Sequence, residues 1–177
     1  MLKTSKRLLL SYWLPVVLMV LVIMLESTEI LASNHTSRFI YPLLNWLTRI
    51  FTGHPIDHRS FEQVHAVLRK LGHLTGYGIL WAVWFRAIRA TAREEKPRDS
   101  FDWNWFWTSI WARNAFWLTV LIASADEFHQ SFLPSRTGHF SDVLIDSTGA
   151  LIALAIAYMV SRWSFQREQS RRILQLV

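Results

Sequence analysis

The chain has 177 residues, 51% of them hydrophobic, with ten Trp, eleven Phe, no Cys and a formal net charge of +6. A charged fraction of 18% is below the roughly one quarter usual in soluble domains, and with long apolar runs it points to a membrane-embedded chain rather than a nucleic-acid binder. The absence of Cys excludes disulfides, thiolate nucleophiles and Cys-ligated zinc, and the length fits one domain over 1–177.

The first apolar run, Leu8 to Leu25, follows Lys3, Lys6 and Arg7. It is longer than the ~7–15 residues of a secretory-signal core, Glu26 and Glu29 follow it directly, and bulky Ile30 stands three residues before the nearest cleavage-like position. The run therefore predicts an uncleaved anchor, with Pro15 as a kink that a bundle tolerates. Next, Ile40, Leu43, Leu44, Leu47, Ile50 and Phe51 follow helical spacing. They predict an amphipathic helix over 38–51, on the outer leaflet or against the bundle. Ser60-Phe-Glu-Gln63 fits a capping box and starts a second long helix that runs to about Ala90, ~45 Å at ~1.5 Å per residue. It would enter the membrane near Gly72 and leave at Arg86 and Arg89, with Gly72 and Gly76 admitting a neighbouring helix backbone.

A third span covers Phe101 to Ala125, and its aromatic start has two placements. Trp103, Trp105 and Trp107 form an interfacial belt with Arg113 snorkelling to the headgroups, or residues 101–111 lie flat and a shorter helix crosses. The first is the preferred reading. The fourth span, Val143 to Trp163, is the cleanest and is followed by Arg167, Arg171 and Arg172. Placing both termini in the cytoplasm puts 12 Lys and Arg inside against 6 outside, as the positive-inside tendency requires. The fold expected is all-α, a polytopic membrane bundle of about four transmembrane helices plus an outer-side amphipathic helix. The cytoplasmic (inner) membrane is its expected location.

This topology carries two polar stretches to the same outer side. Lys70, His73 and Tyr77 fall within about 60° of one another at ~100° per residue, as do Asp142, Asp146 and Gly149, while Asp126, Glu127 and Gln130 span about 100°. Two carboxylates at the C-terminal end of a helix face its negative pole, so Asp126 and Glu127 are expected to pair with a cation such as Lys70 or Arg136. Phe132 to Gly138 reads as a turn in which Arg136 offers a fork to carboxylate or phosphate. His129 and His139 are read as solvated loop residues. His73, Glu127, Asp142 and Asp146 offer N/O donors, but without HExxH-like spacing no metal or other cofactor is assigned.

The pattern Lys70-x-x-His73-x-x-x-Tyr77, then Asp126-Glu127-x-x-Gln130-x-Phe132-x-Pro134-x-Arg136 with Asp142 and Gly149, resembles the VanZ-like membrane protein family over a motif core of about 70–154. The resemblance implies a small polytopic membrane protein with a polar cluster of unknown chemistry, and a link of founding members to glycopeptide resistance of the teicoplanin type. The family often carries Asn at the position of Asp146. Two function classes stay open. In one, His73, Asp126 and Glu127 are catalytic and Lys70, Tyr77, Gln130, Arg136, Asp142 and Asp146 hold an amphiphilic envelope or lipid-linked substrate. In the other, the same residues bind a lipid or lipopeptide, or clamp helices, without turnover.

Overall fold

The computed structural model describes residues 6–28, 33–92, 101–134 and 138–174. Six helices account for most of them: α1 (Lys6–Ser27), α2 (Ser33–Thr52), α3 (His58–Thr91), α4 (Trp103–Thr108), α5 (Ile110–Gln130) and α6 (Phe140–Leu174). No strand occurs among the described residues. The all-α expectation holds.

Helix directions follow from end-to-end contacts. Trp13 Nε1 donates to Thr91 Oγ1 at 3.1 Å, which joins the start of α1 to the end of α3. At the other end Ser27 Oγ lies 3.0 Å from His129 Nδ1, joining the ends of α1 and α5. Helices α3 and α6 run parallel and pack most extensively against each other, with α1 and α5 antiparallel to them. Both polar stretches therefore arrive at one end of the bundle. The opposite end is an aromatic layer of Trp81, Phe85, Phe106 and Trp111 packed on Ala112, Ala115, Ala150 and Leu154. A second apolar cluster of Ile23, Leu80, Ala123 and Val143 gathers around Tyr77.

Several local readings are corrected. Helix α3 starts at His58 rather than Ser60, because Asp57 caps it by accepting the Ser60 amide at 3.0 Å; Asp caps as well as Ser and stands earlier in the chain. The Ser60 hydroxyl and amide hold the Asp57 carboxyl below its ordinary range. The folded-state value is depressed, so this cap is in place above the ordinary aspartate range and is lost as pH falls through the lowered value. Pro15 is accommodated by a π-helical turn over Leu9–Trp13 immediately upstream, where the missing proline N–H would have bonded one turn back. The aromatic segment is not continuous with the third long helix. Asp102 caps α4 through the Trp105 amide at 2.7 Å, Ser109 turns the chain, and its hydroxyl caps α5 through the Ala112 amide. Trp105 and Trp107 are half-buried against the core, while Trp103 is exposed at 45%. The expected helix over 38–51 is longer, includes Pro42, and meets the bundle where Tyr41 packs edge-on against Phe61.

The outside is more apolar than the inside of the polar end. Leu18, Leu21, Met24 and Leu25 of α1 and Leu151, Ile156, Met159 and Val160 of α6 are exposed, a pattern uncommon on a soluble monomer. Helix α1 and residues Phe140–Ile173 of α6 are long and apolar enough to cross a membrane. Helices α3 and α5, at 34 and 21 residues, have the length but are more polar.

The glycine contact also differs from expectation. A Cβ on Gly72 would meet nothing, and one on Gly76 only the Met19 side chain at 3.9 Å. The close approach of α3 and α6 uses Gly78 and Gly149, where a Gly149 Cβ would collide with the Leu74 carbonyl oxygen. Gly149→Ala should cost about 1–3 kcal/mol through forced separation of the helices, whereas Gly72→Ala should be neutral or better. Thermal unfolding of the two variants in detergent checks the difference.

Candidate functional site

Helical phase places His73 and Tyr77 one turn apart on α3, with their rings stacked at 6.2 Å. Asp126, Glu127 and Gln130 reach them from the last turn of α5, and Asp146 reaches them from the second turn of α6. All four of these polar residues are buried, Asp146 completely at 0% exposure.

Two carboxylates of one helix end meet different fates. Asp126 Oδ2 accepts from the Tyr77 hydroxyl at 3.0 Å and from Gln130 Nε2 at 3.1 Å. Glu127 Oε2 accepts the His139 backbone amide at 2.9 Å. Neutral donors, not cations, satisfy these atoms. They do so without desolvating a second charge, which is the penalty that often cancels the gain of a buried ion pair. The pairing expected of Lys70 is not made among the described residues: its side chain is exposed on α3. Arg136 lies outside the described residues. Asp142 is half-buried in the first turn of α6, with Ser141 Oγ at 3.4 Å, and is close enough to Glu127 to repel it electrostatically.

The remaining atoms form a second group. His73 Nδ1 lies 3.3 Å from Asp146 Oδ1, but the two are not aligned for a hydrogen bond, and Asp146 Oδ2 and Glu127 Oε1 also lack partners. One donor atom from each of His73, Glu127 and Asp146 can be chosen so that all lie within 4.8 Å of one another, close enough together to hold a cation. Asp146 is thus central to the cluster.

Several participants were missed from the sequence. Gly138 packs so tightly on the end of α5 that a Cβ would collide with the Glu127 carbonyl oxygen, and this approach delivers the His139 amide to Glu127. His129 belongs to the last turn of α5 rather than a loop, and its ring meets Ser27. A backbone amide and a serine in an apolar run carry no signal of their own. The Gly-His pair after Pro134 was the available hint.

Beside the cluster, a cleft of about 270 Å³ runs between α1 and α5. Val20, Ile23, Met24 and Ile122 line its apolar length, and Asp126 and His129 stand at its polar end. A much smaller cavity, about 10 Å³, lies between His73, Tyr77, Asp126 and Gln130.

An all-helical bundle with membrane-length apolar helices and a buried acid–imidazole cluster at one end defines a class of membrane-associated protein. The VanZ/LLP1 family model matches residues 12–161, most of the chain, and the chain belongs to that family. No curated protein and no solved structure matches it.

The Tyr77 hydroxyl is one of two donors to a buried carboxylate, so Tyr77→Phe should destabilise the protein by about 1–3 kcal/mol. Tyr12→Phe, at the opposite end, should have little effect. Thermal melts of both variants provide the measurement.

Proposed function

We propose that the chain is an integral protein of the cytoplasmic membrane with four spans, α1, α3, α5 and α6, that receives an amphiphilic lipid or lipid-linked envelope molecule at its polar end. The observation that carries this reading is the α1–α5 cleft: apolar along its length and polar where it reaches His129 and Asp126, the latter bonded to Tyr77 beside His73. A ligand with an acyl or prenyl tail and a polar head matches both parts. The excess of Lys and Arg on the segments at the aromatic end supports a cytoplasmic position for that end and an outer position for the site. Exposed Lys70 supplies a cation for an anionic headgroup.

The cluster also has the groups for acid–base work. His73 carries an imidazole next to Asp146, and Glu127 has one oxygen held by the His139 amide and the other free of hydrogen bonds. Glu127 and His73 would accept and return a proton on a headgroup seated over them. Binding without turnover uses the same cleft. The link of the family's founding members to glycopeptide resistance of the teicoplanin type makes envelope precursors the first ligands to try.

Ala125→Trp fills the cleft from its α5 wall. It should weaken binding of a lipid-linked precursor by about tenfold or more and leave the melting temperature close to wild type. Native mass spectrometry with a panel of lipids and precursors reads the binding, and chromatography of the same mixtures reads product. Unchanged binding in Ala125→Trp would sink the cleft reading. Product lost in folded His73→Gln and Glu127→Gln would assign turnover, and binding with no product from any substrate would assign a binding protein. For topology, Ser141→Cys, exposed at the start of α6, should react with an impermeant thiol reagent added outside intact cells. Labelling only after lysis would reverse the orientation.

A further inference from the structure

The unpartnered atoms of the cluster define a site in themselves. Asp146 is fully buried with neither carboxylate oxygen hydrogen-bonded, Glu127 is 5% exposed with Oε1 free of hydrogen bonds, and His73 Nδ1 stands 3.3 Å from Asp146 Oδ1 without an aligned hydrogen bond. Burial penalises both carboxylates as anions, and each is only partly compensated, Glu127 by the His139 amide at 2.9 Å and Asp146 by the His73 imidazole at 3.3 Å. No Lys or Arg among the described residues reaches them.

We propose that His73, Glu127 and Asp146 bind a divalent transition-metal ion, of the zinc or manganese type, through His73 Nδ1 and one oxygen from each carboxylate. An imidazole with two carboxylates is a borderline N/O donor set, which suits these ions better than calcium, whose sites use six to eight oxygens. The spacing fits. Bonds of about 2.0–2.2 Å put neighbouring ligands of one ion about 3.3–3.5 Å apart, and the His73–Asp146 atom pair is already at 3.3 Å. The full triad, within 4.8 Å, would contract by up to about 1.3–1.5 Å to reach that spacing on binding an ion.

The surroundings support ligation by this set and not by Asp126. Both hydrogen bonds to Asp126 fall on Oδ2 and come from Tyr77 and Gln130, which commits that carboxylate to orienting its neighbours. The His139 amide fixes Glu127 through Oε2 and leaves Oε1 for the metal, the kind of support that orients metal ligands generally. Three protein ligands leave a coordination position open. The ligands come from three separate helices, so no contiguous motif announces the site.

The test needs no amphiphile, so its result is separate from that of the cleft reading. Full-length protein in detergent is stripped with a chelator, re-equilibrated with Zn²⁺ or Mn²⁺ alone, desalted, and assayed for metal by inductively coupled plasma mass spectrometry. Wild type should retain on the order of one ion per chain, and a similar concentration of Ca²⁺ should not displace it. Glu127→Gln and Asp146→Asn should weaken binding by about 100-fold or more, while Asp126→Asn retains the ion. Co²⁺ loading of the wild type gives a reading independent of variant folding: visible d–d bands and a shifted imidazole proton should appear. Failure of the folded wild type to retain any ion overturns the proposal. Equal retention in Glu127→Gln, Asp146→Asn and His73→Gln overturns it too, since the ion then sits elsewhere.

Discussion

The interaction on which the polar end depends is the compensation of carboxylates withdrawn from water. Asp126, Glu127 and Asp146 are all buried, and desolvation penalises each as an anion unless a donor or cation stands opposite. The chain meets this unequally. Asp126 receives two side-chain donors on one oxygen, Glu127 receives one backbone donor, and Asp146 receives none, with only an unaligned imidazole nearby. The gradient from satisfied to unsatisfied runs from the α1–α5 cleft toward the α3–α6 contact. It separates a carboxylate held by two side-chain donors from two that keep oxygens free of hydrogen bonds.

Backbone approach makes that arrangement possible. Gly149 lets α6 lie directly on the Leu74 carbonyl of α3, which sets Asp146 level with His73. Gly138 does the equivalent for the turn after α5, which folds back so closely that the His139 amide reaches Glu127. At each place a side chain in place of the glycine would push a ligand-bearing segment away. Two hydrogen atoms therefore control the dimensions of a site built from much larger groups. The aromatic layer at the other end supplies rigidity: Phe85, Phe106 and Trp111 meet at centroid distances of 5.2–6.0 Å and hold the helices at fixed spacing.

Much of the architecture was legible in the sequence, for physical reasons. Four hydrophobic segments with alternating charged flanks led to the antiparallel order, and helical phase brought Lys70, His73 and Tyr77 onto one stripe. Where the reading failed, a local rule met a competitor of equal strength. Asp57 out-competed Ser60 as a cap because both residue types serve, and Ser109 broke the third segment because a capping serine inside a Trp-rich run is hard to distinguish from a surface one. Gly72 and Gly76 had the right spacing and the wrong facing, since a glycine pair says nothing about which neighbour approaches. Lys70 shows the limit of phase arguments: about 60° of angular spread was enough to leave a long cationic side chain in the open while His73 turned inward. Satisfaction by Gln130 and by a backbone amide could not be read from charge at all.

The two parts of the polar end use different sets of helices. The acid–imidazole triad is carried by α3, α5 and α6, whose mutual packing is the most extensive in the molecule. The cleft is walled by α1 and α5, and α1 is fastened to α5 at this end through Ser27 and His129. A tail lodged between α1 and α5 would therefore press on the less firmly held wall while leaving the triad geometry to the rigid core. Asp126 belongs to both, since it lines the cleft and also anchors Tyr77, one turn from His73 on the same helix face. Asp126 thus joins the wall of the cleft to the ring stack beside the triad.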